Sequence, residues 1–188
     1  MIETIKNYIR NKFGKELTIV SVFKTGSHLF CTNCNDYDYV VIIAENIKRF
    51  KFFDKETNNE FFVYSQAERN KELEMDCSQY HTIYVINETL KPLTTIYGDS
   101  SCKLDLFAKE KEYKKMLKDK LNKSYLSKNI KWKNSDLYCH RHLWWAIWGL
   151  MILENKSYEI TDEMKSVFQQ CHDGVLPKKW ETWVKERL

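Results

Sequence analysis

Ile2, Ile5, Tyr8, Ile9 and Phe13 recur at helical spacing, so residues 2–13 are predicted to form a helix that buries one stripe. Gly14 is placed to stop it. The period then changes. Leu17-Thr-Ile-Val-Ser-Val-Phe23 is dense in β-branched residues and reads as a buried strand running out at Gly26. Residues 28–35 are polar and short, a loop or a helical turn. Asp36-Tyr-Asp-Tyr-Val-Val-Ile-Ile-Ala44 ends in an unbroken apolar run, the signature of a strand in a sheet interior. Residues 48–54 and 60–65 alternate around a turn-rich 54–59 segment, which predicts a hairpin or two adjacent strands.

From Gln66 onward the pattern is helical. Residues 67–75 read as a helix. Residues 81–87 fit strand or helix, and Pro92 is expected to interrupt the segment after them. Tyr113, Leu117 and Leu121 lie four apart and mark an amphipathic helix with lysines on its outer side. Residues 135–154 are apolar almost all round (Leu143, Trp144, Trp145, Ile147, Trp148, Leu150), as in the central helix of a bundle. Thr161 opens another helix and Pro177 the last, with Trp180, Trp183, Val184 and Leu188 on one face. The fold class is therefore α+β. Residues 1–102 are expected to form a sheet core and residues 103–188 a helical region packed on it, with a ligand cleft between.

Composition narrows the function classes. Five Gly and two Pro in 188 residues exclude a collagen-like or linker chain. The most apolar stretch, 143–153, is too short to cross a bilayer, and the N-terminus lacks a cleavage motif. A cytoplasmic protein with reduced cysteines and no membrane partner is expected. The net charge of +4 is uneven: residues 103–133 hold eleven Lys against four acids. Such a segment attracts phosphate-bearing partners, nucleotide or nucleic acid, unless it is simply a solvated helix face.

Thr25-Gly26-Ser27 followed by Asp36-Tyr37-Asp38 carries the chemistry. Gly26 lets a ligand approach the backbone closely. Ser27 offers a hydroxyl and an N–H to a phosphate oxygen. Asp36 and Asp38 stand two apart on a strand, so they point to one face. Two adjacent carboxylates repel unless a cation sits between them, and hard oxygen ligands suit Mg²⁺ or Mn²⁺ completed by triphosphate oxygens. A plain polar strand start after a Gly-Ser turn is the alternative.

Strand, Gly26-Ser27, loop, Asp36-Tyr37-Asp38, apolar strand resembles the nucleotidyltransferase superfamily with the DNA polymerase β-type fold. Within it, the chain is similar to the small predicted nucleotidyltransferases of bacteria and their phages. The specific motif spans residues 17–44. The resemblance implies a mixed sheet backed by helices and a helical C-terminal part closing over a nucleotide. It implies Mg²⁺-dependent transfer of a nucleoside monophosphate from an NTP, ATP being one such donor, to an acceptor hydroxyl on a protein, an RNA end or a small molecule. Asp36 and Asp38 would be metal-binding and catalytic. A third carboxylate is expected from a later strand: Glu60, opening Glu60-Phe-Phe-Val-Tyr64, or Asp105 in Lys103-Leu-Asp-Leu-Phe107. Gly26 and Ser27 would hold phosphates, with His140 and Arg141 as further cleft-facing candidates. A catalytically degenerate nucleotide- or nucleic-acid-binding protein is the alternative function.

Zinc is the rival chemistry. Cys31-Thr-Asn-Cys34 has the gap of a zinc pair, and Cys139, His140, His142, Cys171 and His172 are the other possible ligands. No second pair of matching spacing accompanies it, and buried free thiols are the commoner use of cysteine.

Overall fold

The computed structural model describes residues 1–30, 37–74, 82–126, 135–173 and 178–188. It is an α+β protein with a five-stranded mixed sheet and, among the described residues, seven α-helices. The described residues fall into two compact units. One comprises 1–29, 37–71 and 91–101; the other comprises 30, 72–74, 82–90, 102–126, 135–173 and 178–188.

The first unit holds the sheet. Its strands are β1 (Ile19–Thr25), β2 (Tyr37–Ile43), β3 (Phe50–Asp54), β4 (Asn59–Ser65) and β5 (Thr95–Gly98), in the order β3-β4-β2-β1-β5. After β2 the chain moves to the edge as β3 and turns back as β4 between them. This makes β4 parallel to β2 and antiparallel to β3. The expected hairpin is present. Asp54 builds its turn, accepting from the Glu56 N–H at 3.1 Å and the Thr57 hydroxyl at 2.6 Å.

Helix α1 (Ile2–Phe13) covers one sheet face and ends where sequence places its stop, with Gly14 left-handed at φ 66°. Its Ile5 and Ile9 pack with Val22, Tyr39, Val41, Ile43, Phe52, Phe61 and Val63. Tyr8 stacks on Phe52 at a centroid distance of 3.8 Å. Side chains alternate across a strand, so the odd-numbered residues of β2 and β4 build this core and the even-numbered ones face the other way. Helix α2 (Gln66–Leu73) follows β4 directly; the Ser65 hydroxyl accepts from the Glu68 N–H at 3.1 Å.

In the second unit α5 (Ser135–Asn155) touches α4 (Glu110–Leu126), α6 (Asp162–His172) and α7 (Lys179–Arg187). Its central place follows from its all-round apolar surface: Leu143 to Leu153 is buried throughout. Trp144 and Trp148 meet Phe30 edge-on at 4.9 and 4.8 Å, so these rings are core rather than a stacking surface. Thr161 caps α6, its hydroxyl accepting from the Met164 N–H at 3.2 Å. Residue 177, expected to open the last helix, lies outside the described residues.

Two expectations need correction. Helix α3 (Thr82–Thr94) runs through Pro92 instead of stopping before it. The ring sits in the last turn, where its missing N–H removes a single bond, to the Glu88 carbonyl. The segment around Asp105 is a turn and not a strand. The Asp105 carboxylate accepts from the Phe107 and Ala108 N–H groups, both at 3.1 Å, and this local bonding favours a turn over a sheet ladder.

Candidate functional site

The site lies in the sheet unit, on the face away from α1. In register, Thr25 of β1 stands opposite Asp38 of β2, Asp38 beside Glu60 of β4, and Glu60 opposite Phe53 of β3. Paired residues share a face, so these four make one row across four strands. Neighbouring strands lie about 4.7–4.9 Å apart, which makes Asp38 and Glu60 nearest neighbours. Both sit at the beginnings of the two parallel strands, before the apolar runs Val40–Ile43 and Phe61–Tyr64.

Gly26 completes the arrangement. Its φ is 83°, and a Cβ there would lie 2.7 Å from Asp38 Cγ and closer still to Oδ2. Only a residue without a side chain lets the carboxylate rest against the backbone at this point. Thr25 is buried beside it. Ser27, half-buried, starts a 3₁₀ turn (Ser27–Leu29) in which the Leu29 N–H donates to the Gly26 carbonyl at 3.4 Å. Gly26, Ser27, Asp38 and Glu60 thus belong to one small region of the sheet.

Like charges side by side need a counter-charge. Glu60 has one: Lys51 Nζ lies 2.7 Å from its Oε1, with the Lys51 side chain 65% exposed and that of Glu60 23%. On the same face the Arg69 guanidinium sits 5.9 Å from the Phe23 ring centroid. Arg49 lies 3.8 Å from Glu68.

A divalent cation fits this donor set in kind. Mg²⁺ is usually held by one or two carboxylates together with substrate phosphates and water, and Asp38 beside Glu60 supplies two carboxylates on one face. The Asp38 carboxylate also occupies the space that a Cβ at position 26 would fill. Among the described residues no group of three or more His, Cys, Asp or Glu side chains is placed to hold a metal.

Asp36 lies outside the described residues, as do Cys31 and Cys34. Positions 139–142 are on the backbone of α5, but the side chains of Cys139, His140, Arg141 and His142 are outside the described set, and so is that of His172. Cys171 is buried, and burial pushes its thiol up to about 12. Asp105, in the helical unit, is exposed and bound into its turn; Glu60 is the acid on the strand next to Asp38.

Lys51 and Phe53 were not singled out from sequence. Their alternation with Phe50 and Phe52 was visible, but the register that sets them against Phe62 and Glu60 is a property of the β3–β4 pairing.

No protein-family model matches the chain, and no curated protein matches it.

Proposed function

We propose that the chain is a metal-dependent nucleotidyltransferase, moving a nucleoside monophosphate from an NTP to an acceptor hydroxyl. The observation that carries this is Asp38 and Glu60 in register on parallel neighbours β2 and β4, with Asp38 packed on Gly26. A glycine-serine turn beside paired carboxylates suits a triphosphate and its cation.

Asp38, Glu60 and, from the sequence, Asp36 would hold Mg²⁺ or Mn²⁺. When bound, the cation supplies positive charge to the triphosphate and acidifies the acceptor hydroxyl. Gly26 and Ser27 offer N–H and hydroxyl groups to phosphate oxygens. In the transfer the acceptor oxygen bonds to the α-phosphorus, and the bond from that phosphorus to the α–β bridging oxygen breaks. Pyrophosphate leaves with that bond's electron pair. Glu60 would take the acceptor's proton and pass it to water. From the sequence alone, Arg141, His140 and the lysines of 103–133 would be candidates for balancing charge on the pyrophosphate. A cytoplasmic location accords with this substrate; among the described residues no helix is long and apolar enough to cross a membrane.

One observation favours a second reading, a nucleotide- or nucleic-acid-binding protein without catalysis. Glu60 is engaged by Lys51, as an acid with a structural partner would be. Titration calorimetry with ATP, GTP, CTP and UTP, with and without Mg²⁺, on wild type and the Asp36→Ala/Asp38→Ala variant tests the site. Metal-dependent binding lost in the variant is expected, together with metal-dependent pyrophosphate release once an acceptor is supplied. Binding without release favours the second reading, and no binding of any nucleotide sinks both.

A further inference from the structure

The site face ends at β3, an edge strand, and there it changes character. Lys51 stands opposite Phe62, and Phe53 opposite Glu60, so charged and aromatic side chains alternate in a two-by-two square. The diagonal Lys51–Glu60 pair is closed at 2.7 Å, and Lys51 Nζ lies 6.0 Å from the Phe62 ring centroid. Phe53 is 46% exposed, although the rings on the α1 face of the same strand, Phe50 and Phe52, are packed against Tyr8. An exposed ring on an edge strand invites aggregation unless something uses it. The segment 48–55 is also cationic, with Lys48, Arg49, Lys51 and Lys55 against Asp54.

A cation beside an exposed ring matches one chemistry closely. Single-stranded nucleic acids are held by positive groups that follow the phosphates and by aromatic faces that stack on bases. A protein hydroxyl would need neither. We propose that β3 is a shelf for a single-stranded nucleic acid, with a base on Phe53 and a backbone phosphate on Lys51, presenting its terminal hydroxyl toward the Asp38–Glu60 row. The assignment of that hydroxyl as acceptor rests on the proposed nucleotidyl transfer; the binding shelf does not.

The test is fluorescence anisotropy of the full chain with a 5′-labelled single-stranded RNA of about ten nucleotides, over a salt series. Lys51→Ala should bind several-fold more weakly, and its salt slope should be shallower by about 0.7, the value for one lost contact to a single strand. Phe53→Ala should bind about tenfold more weakly with the salt slope unchanged, and Phe53→Trp should restore binding. Wild-type affinity in both Lys51→Ala and Phe53→Ala overturns the shelf, as does a wild-type chain that binds no RNA at low salt. Labelling of a protein acceptor at wild-type rate by both variants overturns the assignment of the RNA hydroxyl as acceptor. If the shelf variants lose RNA while wild type binds no NTP, the shelf stands and nucleotidyl transfer falls.

Discussion

The two faces of the sheet differ by one residue of phase. On β2 and β4 the odd positions Tyr39, Val41, Phe61 and Val63 are buried against α1; one residue earlier stand Asp38 and Glu60. Further along the strands the second face is apolar too, with Val40, Ile42 and Tyr64 buried. On β2 and β4 the polarity of this face is therefore confined to the beginnings of the strands, beside the point where β1 runs into Gly26. The α1 face determines which register is stable, because a one-residue slip would carry every core ring outward. The other face inherits that register, and so two acids distant in sequence meet without contributing to the core themselves. Like charges on neighbouring strands repel, and at Glu60 the Lys51 ammonium offsets part of that.

The contrast between the faces is sharpest at neighbouring positions of β4. Phe61→Ala removes a fully buried ring that stacks on Phe52 at 4.7 Å and Tyr39 at 5.3 Å. Chemical denaturation should show a loss of about 3–5 kcal/mol. Glu60→Gln, one residue away, should cost less than about 1 kcal/mol, because its partner Lys51 is exposed to solvent. Equal losses at the two positions would mean that the second face is structural after all.

Activity should show the reverse ranking. Asp38→Asn is expected to lower nucleotidyl transfer on the order of a thousandfold while the denaturation midpoint moves little. Full transfer in this variant would remove the carboxylate row from the chemistry. Gly26→Ala tests the junction of the two properties. The new Cβ meets the Asp38 carboxylate, and φ 83° strains any side-chain-bearing residue. The expected cost is above about 1 kcal/mol, with metal-dependent nucleotide binding weakened in parallel. An alanine variant that keeps both stability and nucleotide affinity would show that the contact has no consequence.

Much of this was legible in the sequence, for identifiable reasons. The period of α1, the β-branched run of β1 and the apolar tail of β2 each report local burial, which the chain encodes directly. The β3–β4 hairpin was announced by its turn residues around Asp54. Gly26 next to Asp38 was suggested by motif order, and Glu60 by its place at the head of an apolar strand. What could not be read was pairing. The Lys51–Glu60 contact and the Phe53–Glu60 opposition depend on register between strands, and no single strand's pattern contains it. The strand that the family resemblance implied around Asp105 failed for a local reason: Leu104 and Leu106 are both buried, but the Asp side chain ties the backbone into a turn. Pro92 misled because its cost depends on how many helical bonds lie beyond it, which is a matter of position and not of residue type.

The smallest expected effect lies at the opposite end of the same strands. Both Glu45 oxygens accept from the Thr18 N–H, at 3.0 and 2.9 Å, and the Thr18 hydroxyl donates to Oε1 at 3.0 Å. Partial burial pushes the Glu45 carboxyl upward, but hydrogen bonds from its own N–H and from Thr18 outweigh this and hold it below its ordinary value. A group whose pKa is lower folded than unfolded adds stability above the unfolded pKa, and that stability is lost as pH falls through the folded one. Wild type should therefore exceed Glu45→Gln by less than about 1 kcal/mol near neutral pH, since the group is largely solvated. The difference should shrink through the acidic range below the ordinary glutamate pKa and vanish once the carboxyl is protonated in both states. Urea denaturation of the two proteins across that range measures it. A difference that stays constant with pH would mean that the clasp is worth its geometry and not its charge, and that charge matters on this sheet only in the Asp38–Glu60 row.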